Sequence, residues 1–96
     1  MILILNGPNL NWVGKREPDV YGTLSLEEYL KGFGSAVTVH FSNIEGDIIN
    51  ALQDAECNHD ISGVILNAGG YSHTSIAIAD TIRAMKKPVV SVHISN

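Results

Sequence analysis

Short apolar segments that alternate with helical ones are the feature that most constrains the fold of this 96-residue sequence. The first, Met1 to Leu5, is continuously apolar and stops at Asn6-Gly7-Pro8, as expected of a strand buried on both faces. Further apolar, β-branched runs cover residues 36–41, 63–66 and 89–92. Strands that alternate with helices form a parallel sheet with right-handed crossovers. The pattern therefore predicts an α/β domain.

The first predicted helix is short. It covers residues 25–31, with Thr23 or Ser25 as a candidate N-cap, acidic residues in its first turn and Gly32 at its end. A helix of this length covers little of a sheet, because the crossover between parallel strands usually carries a longer one.

Two longer helices are predicted further along the chain. One runs from about Glu45 to Ala55 with Asn43 as its N-cap, and the other covers residues 74–85. Apolar residues at helical spacing predict the faces that these helices bury: Ile44, Ile48, Ile49 and Leu52 in the former, and Ile78, Ile82 and Met85 in the latter.

Length, composition and charge exclude several classes of protein. A chain of 96 residues with 45% apolar and 17% charged residues fits one soluble globular domain, and its apolar runs are far below the ~18 residues that span a bilayer. We expect no membrane segment and no signal peptide, and hence a cytoplasmic protein. The single cysteine excludes an internal disulfide. A net charge of −4 with scattered basic residues gives no footprint for nucleic acid.

Polar residues follow the predicted strands at one edge of the sheet. In the strand order 2-1-3-4, the first and third strands are neighbours at the switch point where ligands bind. The long loop 6–22 follows the first strand, and loop 67–73 follows the third. We therefore expect one pocket to be formed by residues from three loops: Asn6, Asn9, Arg16 and Tyr21, then Asn67, Gly69, Gly70 and His73, then His93 and Ser95.

Motifs for cofactors and metals do not fit. Gly32-Phe33-Gly34 precedes a strand instead of opening a helix, so it is no dinucleotide fingerprint, and neither a phosphate-binding loop nor a nucleophile elbow is present. The spacing of His73, Asp80 and His93 matches no familiar metal site. We expect no cofactor and no metal, and a small molecule as the ligand.

Five segments taken together are similar to one enzyme family. They are Asn6-Gly-Pro-Asn-Leu-Asn, residues 14–22, Ser42-Asn43 with Glu45-Gly46, residues 65–75 and Val92-His-Ile-Ser-Asn96. In this order they resemble the type II 3-dehydroquinate dehydratases. The resemblance implies a single flavodoxin-like domain over residues 1–96, with strand order 2-1-3-4(-5). It also implies a trimer-based homododecamer and a metal-free, cofactor-free anti elimination of water from 3-dehydroquinate in the shikimate pathway.

The resemblance assigns catalytic roles to four residues. Tyr21 looks like the family's base, Arg16 like the arginine that favours its phenolate, and His93 like its general acid. Asn9 resembles the asparagine that stabilises the enolate through a bound water. These residue types suit the chemistry, because a phenol with a pKa near 10 needs a close cation to ionise at pH 7.

Further residues resemble those that bind substrate. Asn67 and His73 look like the residues that hold its hydroxyl groups, while Ile94 and Ser95 resemble those that bind its carboxylate. Asp80 matches a residue that reaches the site of a neighbouring subunit.

Two positions depart from the family pattern. Ser91 stands where a glutamate usually orients the acid histidine, and Ala79 stands where an arginine is usual. We also expect the family's arginine-bearing closing segment, fifth strand and last helix to be absent, so the domain is predicted to be incomplete at its C-terminus. The alternative function is therefore a catalytically inactive, truncated homologue that acts as a ligand-binding or assembly module.

Overall fold

Parallel strands form the centre of the computed structural model, which describes residues 1–12 and 25–93. They are β1 (Ile2–Asn6), β2 (Val37–Phe41), β3 (Gly63–Asn67) and β4 (Val89–Ser91), in the sheet order β2-β1-β3-β4. Every pairing is parallel. The predicted flavodoxin-like order is confirmed, and it places β1 and β3 side by side at the centre.

Helices connect the strands. They are α1 (Leu26–Lys31), α2 (Glu45–Cys57), α3 (Tyr71–Thr74) and α4 (Ile76–Ala84), with 3-10 turns at Leu10–Trp12 and Gly34–Ala36. Within the described residues, none of these helices has the length and apolar character needed to cross a membrane.

The third predicted helix, 74–85, is observed as α4 (Ile76–Ala84), and a separate helix, α3, begins within the predicted loop 67–73. The backbone of Ser75 is extended (φ −92°, ψ 100°), and its side-chain oxygen accepts a hydrogen bond from the Ile78 N–H at 2.9 Å. Ser75 is therefore the N-cap of α4, and the residues before it form the separate short helix α3. A serine competes with the helix for backbone hydrogen bonds, which is why it favours this boundary.

The predicted N-cap of α2 is wrong, whereas that of α1 is confirmed. Ser25 accepts a hydrogen bond from the Glu28 N–H at 3.1 Å, as an N-cap does. At α2 the cap position is occupied by Ile44, which makes no side-chain cap bond. Asn43 instead uses its side-chain oxygen to bind another loop.

The core lies on the face of the sheet covered by α2 and α4. Leu5, Ile48 and Leu52 have no solvent exposure, and burying a side chain of this size stabilises the fold by roughly 1.5–3 kcal/mol. The predicted stripe of α2 is correct except for Ile44, which is 66% exposed because it precedes the helix. The core cluster consists of Leu3, Leu5, Ile48, Leu52, Ala55, Ile61, Val64, Leu66, Ala68 and Ile78.

The other face of the sheet is covered by α1. A cavity of about 430 Å³ lies between this helix and the sheet, with almost entirely apolar walls. Alternate residues of the central strands, among them Ile4 and Asn6 of β1 and Ile65 and Asn67 of β3, line it. Asn6 and Asn67 are the last residues of their strands, so their side chains line this cavity at the carboxyl end of the sheet.

Candidate active site

Two buried asparagines mark the carboxyl ends of the central strands. Asn6 and Asn67 are register partners, and they are 2% and 4% exposed. The Asn67 side-chain oxygen accepts a hydrogen bond from the Gly69 N–H at 3.2 Å, and the Asn6 amide donates to the His40 carbonyl at 3.5 Å. Each asparagine therefore fixes the backbone of a neighbouring segment, as buried polar groups require.

The loops after β1 and β3 pack backbone against backbone. The Gly7 N–H donates to the Asn67 carbonyl at 2.7 Å, and no side chain fits at Gly7 because Ala68 lies against it. Gly69 has φ +60°, and a β-carbon there would lie 3.1 Å from the Pro8 carbonyl oxygen. These contacts hold the first turn of the loop 6–22 directly beside the loop that follows β3.

Asn9 lies in the same turn with a left-handed backbone. Its φ is 68°, a region that asparagine tolerates better than most residues. Its N–H donates to the side-chain oxygen of Asn43 at 2.9 Å, and the Tyr71 hydroxyl donates to the Asn43 carbonyl at 3.1 Å. Asn43 follows β2, so residues from the ends of three strands meet here.

The two histidines of the candidate site face each other. His73 lies in α3, and His93 follows β4, where the Val92 N–H donates to the Leu66 carbonyl at 2.9 Å. Their ring centroids are 6.1 Å apart and their planes make an angle of 22°. His93 and Ser91 also line a cavity of about 240 Å³ beside α4.

Asp80 lies away from this cluster. It is on α4, its side chain is 80% exposed, and its carboxylate is 3.7 Å from the Arg83 guanidinium. Four other predicted site residues lie outside the described residues: Arg16, Tyr21, Ile94 and Ser95.

Two hydrogen bonds favour the ionised form of Asp47, which lies in the first turn of α2. His40 lies 2.9 Å from Asp47, and this hydrogen bond, with a second from Ser42, lowers the pKa of the Asp47 carboxyl. Within residues 1–12 and 25–93, no three His, Cys, Asp or Glu side chains are grouped as metal ligands would be.

The whole sequence matches one family. Residues 1–96 fit the family model described as dehydroquinase class II. The chain belongs to this family. Two relatives of this dehydroquinase chain are named 3-dehydroquinate dehydratase: one from Exiguobacterium sp. is 57% identical over 101 residues, and one from Bacillus licheniformis is 49% identical over 102 residues. The alignments cover 99% of this chain and 68% and 69% of those proteins.

Solved structures of the family share the fold of this dehydroquinase chain. A type II dehydroquinase from Butyrivibrio crossotus superposes with a TM-score of 0.88 at 37% identity, covering 99% of this chain and 70% of that one. A second, from Propionibacterium acnes, gives a TM-score of 0.84 at 36% identity over 99% and 69% of the two chains.

Asn43 and Tyr71 lie next to the predicted site residues Asn9 and His73, although neither is predicted from the sequence to do so. Tyr71 opens α3, two residues before His73, and Asn43 lies two residues after the end of β2. The signal that points to Asn43 is its place at the strand-end edge, which also carries Asn6 and Asn67. An asparagine just before a helix is more often an N-cap, and that alternative concealed its contact with Asn9.

Proposed function

We propose that this chain is a 3-dehydroquinate dehydratase, a hydro-lyase that removes water from 3-dehydroquinate to give 3-dehydroshikimate in the shikimate pathway. Its match to the dehydroquinase class II family over residues 1–96 carries the proposal. The identity of 57% to a relative named for this reaction supports it. Residues 1–96 act as one flavodoxin-like domain.

The reaction begins with removal of a proton next to the ketone of the substrate. Tyr21 is the base, and Arg16 favours its phenolate, because a guanidinium stays charged at every physiological pH. A close positive charge is needed, since an unperturbed phenol is almost wholly protonated at pH 7. Proton removal leaves an enolate.

The enolate is stabilised and then loses hydroxide. Asn9 places its side chain toward the enolate oxygen through a bound water, which lowers the energy of the developing charge. His93 donates a proton to the departing hydroxyl as general acid. The base and the acid come from opposite sides of the substrate, which gives an anti elimination. No metal or cofactor takes part.

Substrate binding uses residues from the same strand ends. Asn67 and His73 hold the hydroxyl groups, and Ile94 and Ser95 bind the carboxylate. The burial of Asn67 and the parallel rings of His73 and His93 support these roles, because polar groups held at one edge of the sheet converge on one ligand.

Assembly contributes to activity. We propose a trimer-based homododecamer in the cytoplasm, in which Asp80 reaches the site of a neighbouring subunit. The 80% exposure of this carboxylate, on a helix apart from its own site, supports the role. Sedimentation equilibrium tests the assembly, and a monomer at micromolar concentration contradicts it.

The proposed function is tested by the ultraviolet absorbance of the conjugated enone that forms from 3-dehydroquinate. We expect turnover by the 96-residue chain, loss of turnover in Tyr21→Phe and Arg16→Ala, and no change in the matched control Tyr29→Phe, since Tyr29 is exposed on α1. Binding of 3-dehydroquinate without turnover would identify the inactive ligand-binding homologue instead. Normal turnover in Tyr21→Phe would refute the assignment of the base.

A further inference from the structure

We propose that Asn43 is a positioning residue of this active site, one that sets the backbone of Asn9 and the placement of α3 through its two oxygen atoms. The inference rests on the proposed function, since it concerns the same reaction. It adds the loop after β2 to a site otherwise formed by the loops after β1, β3 and β4.

The first oxygen of Asn43 acts on Asn9. The Asn9 N–H donates to the Asn43 side-chain oxygen at 2.9 Å, and Asn9 has φ 68°. A left-handed backbone is less favourable than a right-handed or extended one for a residue with a β-carbon. The hydrogen bond that Asn9 donates to Asn43 stabilises this left-handed conformation of the Asn9 backbone.

The second oxygen acts on α3. The Asn43 backbone carbonyl accepts from the Tyr71 hydroxyl at 3.1 Å. Tyr71 is the first residue of α3, and its N–H donates to the Ala68 carbonyl at 3.2 Å. Since α3 carries His73, the bond from Tyr71 couples the position of Asn43 to that of a histidine in the site.

Asn43 is itself firmly held. The Ser42 N–H donates to the Asn6 carbonyl at 2.9 Å, and the Ile44 N–H donates to the Ser42 hydroxyl at 3.0 Å. The helix α2 begins two residues after Asn43, and the Asp47–His40 pair ties its first turns back to β2. Because the backbone on both sides of Asn43 is held by hydrogen bonds, its two oxygen atoms are fixed acceptors for Asn9 and Tyr71.

Nuclear magnetic resonance of the 15N-labelled chain tests the contact whether or not the chain turns over substrate. In Asn43→Ala we expect the Asn9 amide hydrogen to exchange with solvent roughly twofold to tenfold faster, in keeping with the loss of one hydrogen bond, and the Asn9 HN–Hα coupling to change. Asn43→Asp keeps an acceptor oxygen and should retain both values. Asn50→Ala is the matched control, because this exposed asparagine of α2 takes part in none of the site's hydrogen bonds.

Kinetics test the consequence for the reaction. In Asn43→Ala we expect kcat to fall roughly twofold to tenfold with little change in KM. Asn43→Asp should restore kcat. A merely structural loss would instead lower the thermal midpoint of unfolding without lowering kcat selectively. Tyr71→Phe removes the second contact and should lower kcat in the same way. Unchanged Asn9 exchange and coupling in Asn43→Ala, or normal kcat with altered Asn9, overturns the inference. Absence of both binding and turnover in the parent chain overturns the proposed function instead, and the resonances of Asn9 still decide the contact.

Discussion

Gly7 lies against the backbone of Ala68 with no space between them for a side chain. A β-carbon at Gly7 would come 2.7 Å from the Ala68 carbonyl carbon, and closer still to the carbonyl oxygen. Because backbone atoms cannot move aside as a flexible side chain can, Gly7→Ala must separate the loops after β1 and β3. We expect it to lower the free energy of unfolding by about 1–3 kcal/mol and to weaken substrate binding, measured by urea denaturation and calorimetric titration.

Gly46 provides the matched control for this substitution. It lies in the first turn of α2, and, apart from its chain neighbours and the backbone of its own helix, no atom of residues 1–12 and 25–93 would lie within 4 Å of a β-carbon there. Gly46→Ala should therefore raise the stability by up to about 1 kcal/mol, through the better helix propensity of alanine. Equal losses in both variants would show that close packing at Gly7 is not the cause.

Ser75→Ala removes two interactions at once. The Ser75 hydroxyl accepts from the Ile78 N–H and donates to the Glu45 carboxylate, so it caps α4 and joins this helix to α2. We expect a loss of about 1–2 kcal/mol, which is the upper part of the range for an N-cap. Thermal unfolding followed by circular dichroism measures it, with the exposed Ser35→Ala as control. A loss no larger than that of the control would contradict the capping role.

The stability contributed by Glu56 should decline in acid. Backbone hydrogen bonds from Lys87 and then from Lys86 lower the pKa of the Glu56 carboxyl below its usual value of 4.5. A carboxyl whose pKa is lower in the folded than in the unfolded chain stabilises the fold above the unfolded value, and this contribution is lost as the pH falls through the folded value.

Glu56→Gln isolates that effect. The variant should be less stable than the parent near neutral pH, and the difference should narrow as the pH falls below 4.5 and close once the carboxyl is protonated in both the folded and the unfolded chain. Denaturant titrations across this range measure the difference, and Asp47 contributes equally to both proteins. A constant difference at every pH would show that ionisation of Glu56 is irrelevant.

Substitutions of Leu52 and Ile44 distinguish the effect of burial from that of hydrophobicity. Leu52 has no exposure, whereas Ile44 is 66% exposed, although both fit the same helical spacing in the sequence. Leu52→Ala should lower the free energy of unfolding by about 2–5 kcal/mol because it leaves a cavity in the core. Ile44→Ala should change it by less than about 0.5 kcal/mol. Similar losses in the two variants would contradict the position of the core.

The sheet could be predicted from the sequence because buried strands and helices differ in the spacing of their apolar residues. The continuous apolar run before Asn6 is typical of a strand covered on both faces, and it fixed the class of the fold. The boundary at Ser75 could not be located from the apolar pattern, because Ile78, Ile82 and Met85 all follow it and mark only the buried face of the helix. The hydrogen bond that the Ser75 hydroxyl accepts from the Ile78 N–H sets the start of α4. Local propensity is weaker than such a contact.

The gathering of Asn6, Asn67 and His93 at one edge could likewise be predicted, since parallel strands end together. The role of Asn43 could not. Its side chain binds Asn9, 34 residues away, and a contact of that range leaves no trace in the local sequence. An asparagine next to a helix suits capping and loop bridging equally, and only the path of the chain decides between them.

The central place of β1 has a consequence for synthesis on the ribosome. Ile2 is synthesised before its register partners Val37 and Gly63, which lie 35 and 61 residues further along. At ordinary rates of translation the second partner follows roughly 3 to 12 s later. Both sides of β1 are unpaired until β2 has been made, and the side that pairs with β3 stays unpaired until Gly63 follows. The nascent chain is therefore most exposed to intermolecular association before β3 has been made.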